Sequence, residues 1–165
     1  MSSIGDWLIE GGNLYKYYGN DAHVIIPDTV DYIEPEAFMS CNTVETVAIP
    51  DSVTSICAGA FMNCKNLKEI TVPNSVTNII FSAFEGCSSL EKVILPKKLE
   101  IIAIRTFMNC TSLREITLPM DLTSIESSAF LNCSALTTIK LPDALTEIGP
   151  NAFMECSSLK SIVNT

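Results

Sequence analysis

Residues 73–95 read PNSVTNIIFSAFEGCSSLEKVIL, and this 23-residue stretch is written six times, with variations, along the chain. Three of its residue types recur at that step. The prolines are Pro27, Pro50, Pro73, Pro96, Pro119 and Pro142. The phenylalanines are Phe38, Phe61, Phe84, Phe107, Phe130 and Phe153, and the cysteines are Cys41, Cys64, Cys87, Cys110, Cys133 and Cys156. A repeat of this length predicts a solenoid, in which each coil buries its apolar side against its neighbours.

Each repeat divides into two parts. The residues before proline alternate between apolar and polar, as in Ile70-Thr71-Val72 and Ile116-Thr117-Leu118, which is typical of a short strand with one buried face. Proline ends the strand, because it lacks the N–H that would continue a ladder. Around Ala-Phe-x-x-Cys, spacings of three and four predict a helical turn or a short 3₁₀ segment. We therefore expect one narrow parallel sheet, with the phenylalanines in register at the centre of the core.

Composition narrows the class of partner. The 165 residues are 47% apolar, and 19 acidic against 10 basic side chains give a net charge of −9, which opposes binding to nucleic acid. No apolar run approaches the roughly 20 residues that span a bilayer. Asp6 and Glu10 lie where a signal peptide would be apolar. Nothing in these residues directs the protein across a membrane, so a cytoplasmic location stays open.

Six of the seven cysteines belong to the repeat. Stacked coils hold equivalent side chains about 4.8 Å apart with parallel Cα–Cβ bonds, whereas a disulfide needs converging ones. We expect a buried row of free thiols that pack as small apolar groups. Cys57 lies outside that row, and it is the one thiol whose position suggests reactivity.

The repeat resembles a known family. The pattern L-x-x-I-x-L-P-x-x-V/L-T-x-I-x-x-x-A-F-x-x-C, which covers about residues 22–165, is similar to that of the BspA-like (Treponema pallidum-type) leucine-rich repeat proteins. One unit matches at Leu113, Ile116, Leu118, Pro119, Leu122, Thr123, Ile125, Ala129, Phe130 and Cys133. The resemblance implies a leucine-rich repeat solenoid, a right-handed stack of 23-residue coils, each with one short parallel strand and a turn, 3₁₀ or short helical segment. It also implies a cell-surface or secreted protein that adheres to host or extracellular-matrix proteins.

The fourth repeat departs most from this pattern. Thr106 occupies a position where alanine is usual, and Lys97-Lys98 follows the proline. The asparagine that caps the turn in ordinary leucine-rich repeats is also replaced throughout, by Thr29, Ser52, Ser75, Lys98, Asp121 and Ala144. We therefore expect no buried amide ladder at that position.

The two ends of the chain differ. Residues 1–21 break the period, and Trp7-Leu8-Ile9-Glu10, Gly11-Gly12 and Leu14-Tyr15-Lys16-Tyr17 predict a β-hairpin that caps the stack. Residues 22–165 form the six-unit repeat domain, with no capping element at its C-terminal end. An open last strand is a template for pairing. We expect either weak homodimerisation through this end or continuation into a longer array.

Catalytic and metal chemistry is not indicated, and we expect neither an enzyme nor a cofactor. His23 is the one histidine, and its spacing from Cys41 does not suggest a nucleophile pair with an orienting group. No C-x-x-C or H-x-x-x-H spacing supports zinc. Asp28, Asp51 and Asn74 share one column, but calcium needs six to eight oxygen ligands wrapped around it. A solvated edge of turns explains that column better.

Outward positions of the strands are the better candidates for function. One column contains His23, Thr46, Glu69, Lys92, Glu115, Thr138 and Ser161, and its neighbour contains Ile25, Ala48, Thr71, Ile94, Thr117, Lys140 and Val163. Repeat proteins recognise partners by varied side chains on a fixed frame. The alternative is that these residues supply only β-propensity and solubility.

A second candidate is an apolar group where other repeats carry small or polar residues. It consists of Ile80, Phe81, Ile101 and Ile104 in neighbouring repeats. The group is either a partner contact or filling under an altered backbone. The leading hypothesis is a non-enzymatic interaction or adhesion module that binds a protein or glycan partner through its strand face; the alternative is a structural scaffold segment of a larger repeat protein.

Overall fold

Coils of 23 residues stack side by side in the computed structural model, which describes residues 2–164 and the side chains of residues 5–163. Two ladders of short parallel strands run along the stack, and turns form the remaining side. We number the coils by their prolines, from coil 1 at Pro27 to coil 6 at Pro142. The predicted solenoid is confirmed.

The first ladder consists of the strands that the sequence predicts before each proline. They are β4 (His23–Ile25), β6 (Thr46–Ala48), β8 (Glu69–Thr71), β10 (Lys92–Ile94), β12 (Glu115–Ile116), β14 (Thr138–Leu141) and β16 (Ser161–Asn164). Neighbouring strands pair in register, as His23 does with Thr46. Successive side chains of a strand point to opposite sides, so the second residue of each of the strands from β4 to β14 is buried and the first faces outward.

A second ladder, which the sequence pattern did not predict, follows the proline turn. Its strands are β5 (Tyr32–Ile33), β7 (Ser55–Ile56), β9 (Asn78–Ile79), β11 (Ile101–Ile102), β13 (Ser124–Ile125) and β15 (Glu147–Ile148). Each ends in an isoleucine, which is buried in every coil except at Ile148. Strands of two residues are too short to display the alternation by which a strand is recognised in a sequence.

Turns form the third side, around Ala-Phe-x-x-Cys. No helix forms among residues 2–164, so the turn is the form that occurs there, and no helix of that part could span a membrane. Two columns of residues adopt a positive φ of 56° to 73°: Glu36, Gly59, Ser82, Arg105, Ser128 and Asn151, and then Ser40, Asn63, Gly86, Asn109, Asn132 and Glu155. A left-handed residue on each side of the Ala-Phe pair stops a helix from propagating.

The phenylalanines form one continuous stack through the core. The first five rings are fully buried, and Phe153 is partly buried. Neighbouring ring centroids lie 4.8 to 5.6 Å apart with interplanar angles of 4° to 17°. The predicted register of the phenylalanines is therefore confirmed.

The repeat cysteines lie beside this stack. Each thiol from the second onward donates a hydrogen bond to a phenylalanine carbonyl oxygen 26 residues earlier, for example Cys64 to Phe38 at 3.0 Å and Cys110 to Phe84 at 3.2 Å. All seven cysteines are free, which the stacking geometry predicted for the six of the repeat; four of these six are buried, and Cys41 and Cys156 at the two ends of the row are partly buried.

The N-terminal residues form an antiparallel meander of β1 (Ser2–Ile4), β2 (Trp7–Glu10) and β3 (Asn13–Tyr17). Strand β3 pairs in parallel with β5, so the meander extends the second ladder. The rings of Trp7 and Tyr17 lie 6.2 and 5.2 Å from the ring of Phe38 and cover the first member of the stack. The domain boundary after residue 21 stays a prediction.

Both strand ladders are interrupted at the same step, between coils 3 and 4. Strands β4, β6, β8 and β10 form one sheet and β12, β14 and β16 another, while the second ladder divides between β9 and β11. The single parallel sheet that we expected is therefore wrong. Coil 4 is the divergent repeat, in which Thr106 is buried at a position that alanine occupies in the other coils.

Candidate functional site

The outward side chains of the first ladder form a continuous surface, which we call the strand face. It consists of the two columns that begin at His23 and at Ile25. Because the middle residues of the strands supply the buried contacts, the side chains of the strand face are largely free of packing. The face can therefore vary in sequence without cost to the core.

The structure aligns the predicted residues of the first column. His23, Thr46, Glu69 and Lys92 are register partners on β4, β6, β8 and β10. His23 Nδ1 lies 2.9 Å from Thr46 Oγ1, so a threonine rather than a cysteine is the hydrogen-bond partner of this histidine. Glu115 heads the next sheet, beyond the interruption.

The second column follows the same register. Ile94 pairs with Thr71 across the first sheet, and Lys140 pairs with Val163 in the next one. Ile94 is 47% exposed although it is a large apolar residue. The strand face thus combines charged and apolar groups side by side.

Two open grooves lie over the strand face. The first, of about 640 Å³, extends from His23 to Lys97 over β4 to β10. The second, of about 980 Å³, covers β10, β12 and β14. Lys92, Ile94 and Lys97 line both grooves, which meet where the ladders are interrupted.

Charges on the strand face are not used for ion pairing within the fold. In the described part of the chain, no ion pair includes Glu69, Lys92, Glu115 or Lys140. Beside the face, by contrast, Lys68 Nζ lies 2.7 Å from Glu45 Oε2. The hydrogen bond and the positive charge of Lys68 hold the pKa of Glu45 below its usual value.

The predicted apolar group lies apart from the strand face. Phe81, Ile101 and Ile104 are about half exposed, and Ile80 is partly buried. Phe81 and Ile104 occupy equivalent positions of coils 3 and 4, and their carbonyl oxygens accept backbone hydrogen bonds from Gly59 and Ser82. None of the four lines either groove, so the structure separates the two groups that the sequence proposed.

The thiols are poor nucleophiles in this fold. Burial is the main reason that the pKa of Cys64 rises to about 12, and burial also raises the pKa of Cys41. At Cys57, partial burial raises the pKa and the nearby carboxylate of Glu34 adds to the effect. The structure therefore gives no support to the expected reactivity of Cys57, because nucleophilic attack requires the thiolate.

Metal ligands do not gather in the described residues. No group of three or more histidine, cysteine or carboxylate side chains there could hold an ion. In the column of Asp28, Asp51 and Asn74, the last residue contributes to backbone structure, since Asn74 Oδ1 accepts a hydrogen bond of 3.0 Å from the Lys97 amide.

Lys97 and Met120 are among the groove residues that the sequence did not identify as candidates. Lys97 and Met120 each follow a proline, at positions where other repeats carry Asp or Asn, and both line the second groove. The signal in the sequence was the change from Asp or Asn to Lys and Met in the column that follows the prolines. The sequence does not show whether side chains of this column point toward the strand face or away from it, so the groove was needed to interpret the change.

Comparison with known proteins supports the repeat assignment. A family model described as a BspA type leucine rich repeat region, in six copies, matches residues 11–102 and 81–164. A search of curated proteins found no significant match.

Solved structures with the same fold come from several bacteria. A leucine rich repeat protein of Treponema pallidum is 27% identical, with a TM-score of 0.80, over 90% of this chain and 83% of that one. A leucine rich cell surface protein of Faecalibacterium prausnitzii is 29% identical, with a TM-score of 0.70, over 99% of this chain and 54% of that one. A leucine-rich repeat protein of Eubacterium ventriosum is 28% identical, with a TM-score of 0.74, over 91% and 47% respectively. This chain therefore spans most of the treponemal protein and about half of the other two.

The family match and the coil geometry agree. The matched ranges include all six repeats, and each repeat occupies one coil of the solenoid. Leucine-rich repeat proteins generally serve as protein-interaction modules, and the matching family is not a catalytic one. The chain belongs to the BspA-type leucine-rich repeat proteins.

Proposed function

We propose that this chain is a non-enzymatic interaction module that binds a protein partner through its strand face. One observation carries the proposal: in the described part of the chain, an open groove runs along charged side chains that neither fill the core nor form ion pairs with one another. Residues without a structural duty are available for recognition, since changing them leaves the folding free energy nearly unaltered.

Adhesion at a cell surface is the setting that we propose for this binding. The similar protein of Faecalibacterium prausnitzii is described as a cell surface protein. The family resemblance points to adhesion to host or extracellular-matrix proteins. Partners of that kind are large, and an elongated stack offers them an extended rather than an enclosed contact.

The test replaces three charged residues of the strand face, Lys92, Glu115 and Lys140, by serine in one variant. Its control replaces Lys65, Glu100 and Lys160, which have the same charges, are exposed and line neither groove. Both variants and the unmodified chain are measured by biolayer interferometry against immobilised extracellular-matrix proteins and against a glycan array. Circular dichroism melting checks that all three are folded.

We expect the unmodified chain and the control to bind the same matrix proteins, and the strand-face variant to lose at least about tenfold in affinity. Equal binding by all three proteins would remove the strand face from consideration. Binding to glycans alone would favour the glycan as the partner class over the protein.

A structural scaffold is the second candidate function. It is favoured by the coverage of the similar proteins, because this chain spans 54% and 47% of two of them and resembles one segment of a longer array. A scaffold would tolerate the strand-face variant in cells but not deletion of the segment. Self-association through the last coil, which the sequence suggested, stays a prediction.

A further inference from the structure

Three lysines line the second groove, two of them on strands and one in a turn. Lys92 lies on β10, Lys140 lies on β14, and Lys97 follows Pro96 in the turn between coils. The chain has a net charge of −9 and only ten basic side chains, so three at one groove is a local excess.

None of these lysines is used to hold the fold together by ion pairing. Elsewhere, Lys16 Nζ donates to the carbonyl oxygen of Glu36 at 2.9 Å and Lys68 pairs with Glu45. Among the described residues, Lys92, Lys97 and Lys140 make no ion pair. The amide of Lys97 already donates a hydrogen bond to Asn74 Oδ1, so Lys97 would contact a ligand through its side chain.

The groove is also apolar between these charges. Ile94 is 47% and Met120 is 62% exposed, and both line the groove together with Leu118 and Pro119. An apolar side chain that covered Ile94 and Met120 would remove water from both, which favours binding. A ligand for this groove therefore needs an apolar group as well as negative charge.

A uniform polyanion does not satisfy that description. Glu115 and Asp121 line the same groove and would repel a densely sulfated glycan or a nucleic acid. A polypeptide can place its charges separately, so that each meets a lysine and avoids these two carboxylates. Lys92 on β10 and Lys140 on β14 lie two coils apart along the groove, so an extended segment that follows the groove can present a separate carboxylate to each.

We infer that the second groove binds an acidic segment of a protein partner, in which carboxylates flank an apolar side chain. The carboxylates pair with Lys92, Lys97 and Lys140, and the apolar side chain covers Ile94 and Met120. This inference rests on the proposed function and specifies the chemistry of its partner.

The experiment probes the chain with an array of short synthetic peptides of four defined classes: acidic with apolar residues, acidic without them, neutral with apolar residues, and basic with apolar residues. An array of sulfated glycans is probed in parallel. The groove variant is Lys92→Glu, Lys97→Glu and Lys140→Glu. The control, Lys65→Glu, Arg105→Glu and Lys160→Glu, changes the net charge equally at exposed positions outside both grooves.

We expect the acidic peptides with apolar residues to bind best, and to bind more weakly as ionic strength rises from about 0.05 to 0.5 M. The groove variant should lose at least about tenfold in affinity, and the control less than about twofold. Should the groove variant fail to fold, serine replacements at the same three lysines provide the second measurement.

The inference is overturned if basic or neutral peptides bind best, if only sulfated glycans bind, or if the control loses as much affinity as the groove variant. If another class of peptide binds best and the strand-face variant still loses that binding, the proposed function stands although this inference fails. Absence of binding to every peptide and to every matrix protein would overturn both.

Discussion

The turn side and the strand sides of the solenoid behave differently at the step between coils 3 and 4. On the turn side the contacts continue, with the Phe84 amide donating to the Thr106 carbonyl oxygen at 3.0 Å. The rings of Phe84 and Phe107 lie 5.6 Å apart and are nearly parallel. On the strand sides both ladders end there and begin again.

Matched hydrogen bonds show what the strand sides lack. The amides of Ile80 and Glu126 each donate to an isoleucine carbonyl oxygen of the preceding coil at 2.9 Å. Ala103, which holds the equivalent position in coil 4, makes no such bond to coil 3 among the described residues. In a stack whose stability is a sum of coils and of the interfaces between neighbours, this one interface depends more than the others on its turn-side contacts, among them the phenylalanine and cysteine columns.

We expect alkaline pH to have the largest effect on the free energy of unfolding, because it ionises the thiols of the buried cysteine column. Burial raises the pKa of Cys64 to about 12 and raises the pKa of Cys87 and of Cys110, where neighbouring thiols add to it. A thiol whose pKa is raised on folding stabilises the fold fully below its unfolded value near 9, and that stabilisation is lost as the pH rises toward 12. Each buried thiol can remove about 1.4 kcal/mol per pH unit. Urea unfolding between these pH values measures the loss.

The control for this prediction is the double variant Cys87→Ala and Cys110→Ala. Two of the strongly buried thiols are then absent, so the free energy of unfolding should fall less steeply with pH. The same slope in both proteins would show that other groups, such as the lysines and tyrosines, cause the alkaline loss.

Phe84→Ala tests the interface between coils 3 and 4 directly. Removing a fully buried ring should cost about 3–5 kcal/mol. Phe61→Ala removes an equally buried ring at a step where both ladders are intact, and Thr71→Ala removes an exposed side chain and should cost less than about 0.5 kcal/mol. We expect Phe84→Ala to broaden the unfolding transition by separating the two halves, and Phe61→Ala to leave it cooperative. Equal transitions for the two phenylalanine variants would contradict the dependence on this column.

The features that the sequence predicted are those that recur with a large side chain. Phe84 and Cys87 each stand at a position that recurs in every repeat, and identical rings in stacked coils can pack against one another in only a few ways. The alternation before each proline likewise requires one buried residue per strand, such as Ile70. The phenylalanine column, the row of thiols and the first ladder follow from these constraints.

Other features depend on backbone geometry that side-chain type indicates only weakly. Asn63, Gly86, Asn109 and Asn132 share one column, and asparagine and glycine are the residues that most readily adopt positive φ. That signal could have selected the turn from the three forms that the sequence left open, a turn, a 3₁₀ segment or a short helix. The other left-handed column contains Glu36 and Arg105, where no such preference exists. The ladders are interrupted at one divergent coil, and a pattern averaged over six repeats does not show the residues in which that coil differs.

The sequence predicted the strand residues of the candidate binding site but not its turn residues. Alternation along the strands identifies which side chains face outward, and hence Lys92 and Lys140. It does not identify which turn residues reach over that face, so Lys97 and Met120 became visible only with the groove. Which outward residues bind a partner stays a prediction.

Gly86→Ala probes the left-handed column of the turn side. Its φ is 73°, and an added Cβ would overlap Asn63 Oδ1. The strained backbone alone should cost about 1–2 kcal/mol. Combining the substitution with Asn63→Gly removes the overlap without straining residue 63, which also has a positive φ. The loss in urea unfolding relative to Asn63→Gly alone is then due to the φ of residue 86, and no loss in that comparison would mean that φ contributes nothing.

The smallest effect that we expect distinguishes single amides across the interrupted step. Without a ladder bond, the Ala103 amide should exchange with deuterium at least about tenfold faster than the amides of Ile80 and Glu126. Hydrogen exchange followed by NMR measures all three in one sample. Exchange of Ala103 as slow as that of its two counterparts would mean that the ladder is continuous in solution.

Thr106 offers a cause for the interruption that the same measurement can test. Its hydroxyl donates a hydrogen bond of 2.8 Å to the carbonyl oxygen of Ala103, and it is buried where the other coils have a smaller alanine. Thr106→Ala removes that bond and one buried polar group together, so the free energy of unfolding should change by less than about 1.5 kcal/mol. If the threonine holds Ala103 away from coil 3, the Ala103 amide in this variant should exchange at the rate of Ile80. Unchanged fast exchange would exclude the threonine as the cause and leave the other departures of coil 4 from the repeat, which are the Lys97-Lys98 turn, Ile101 and Ile104.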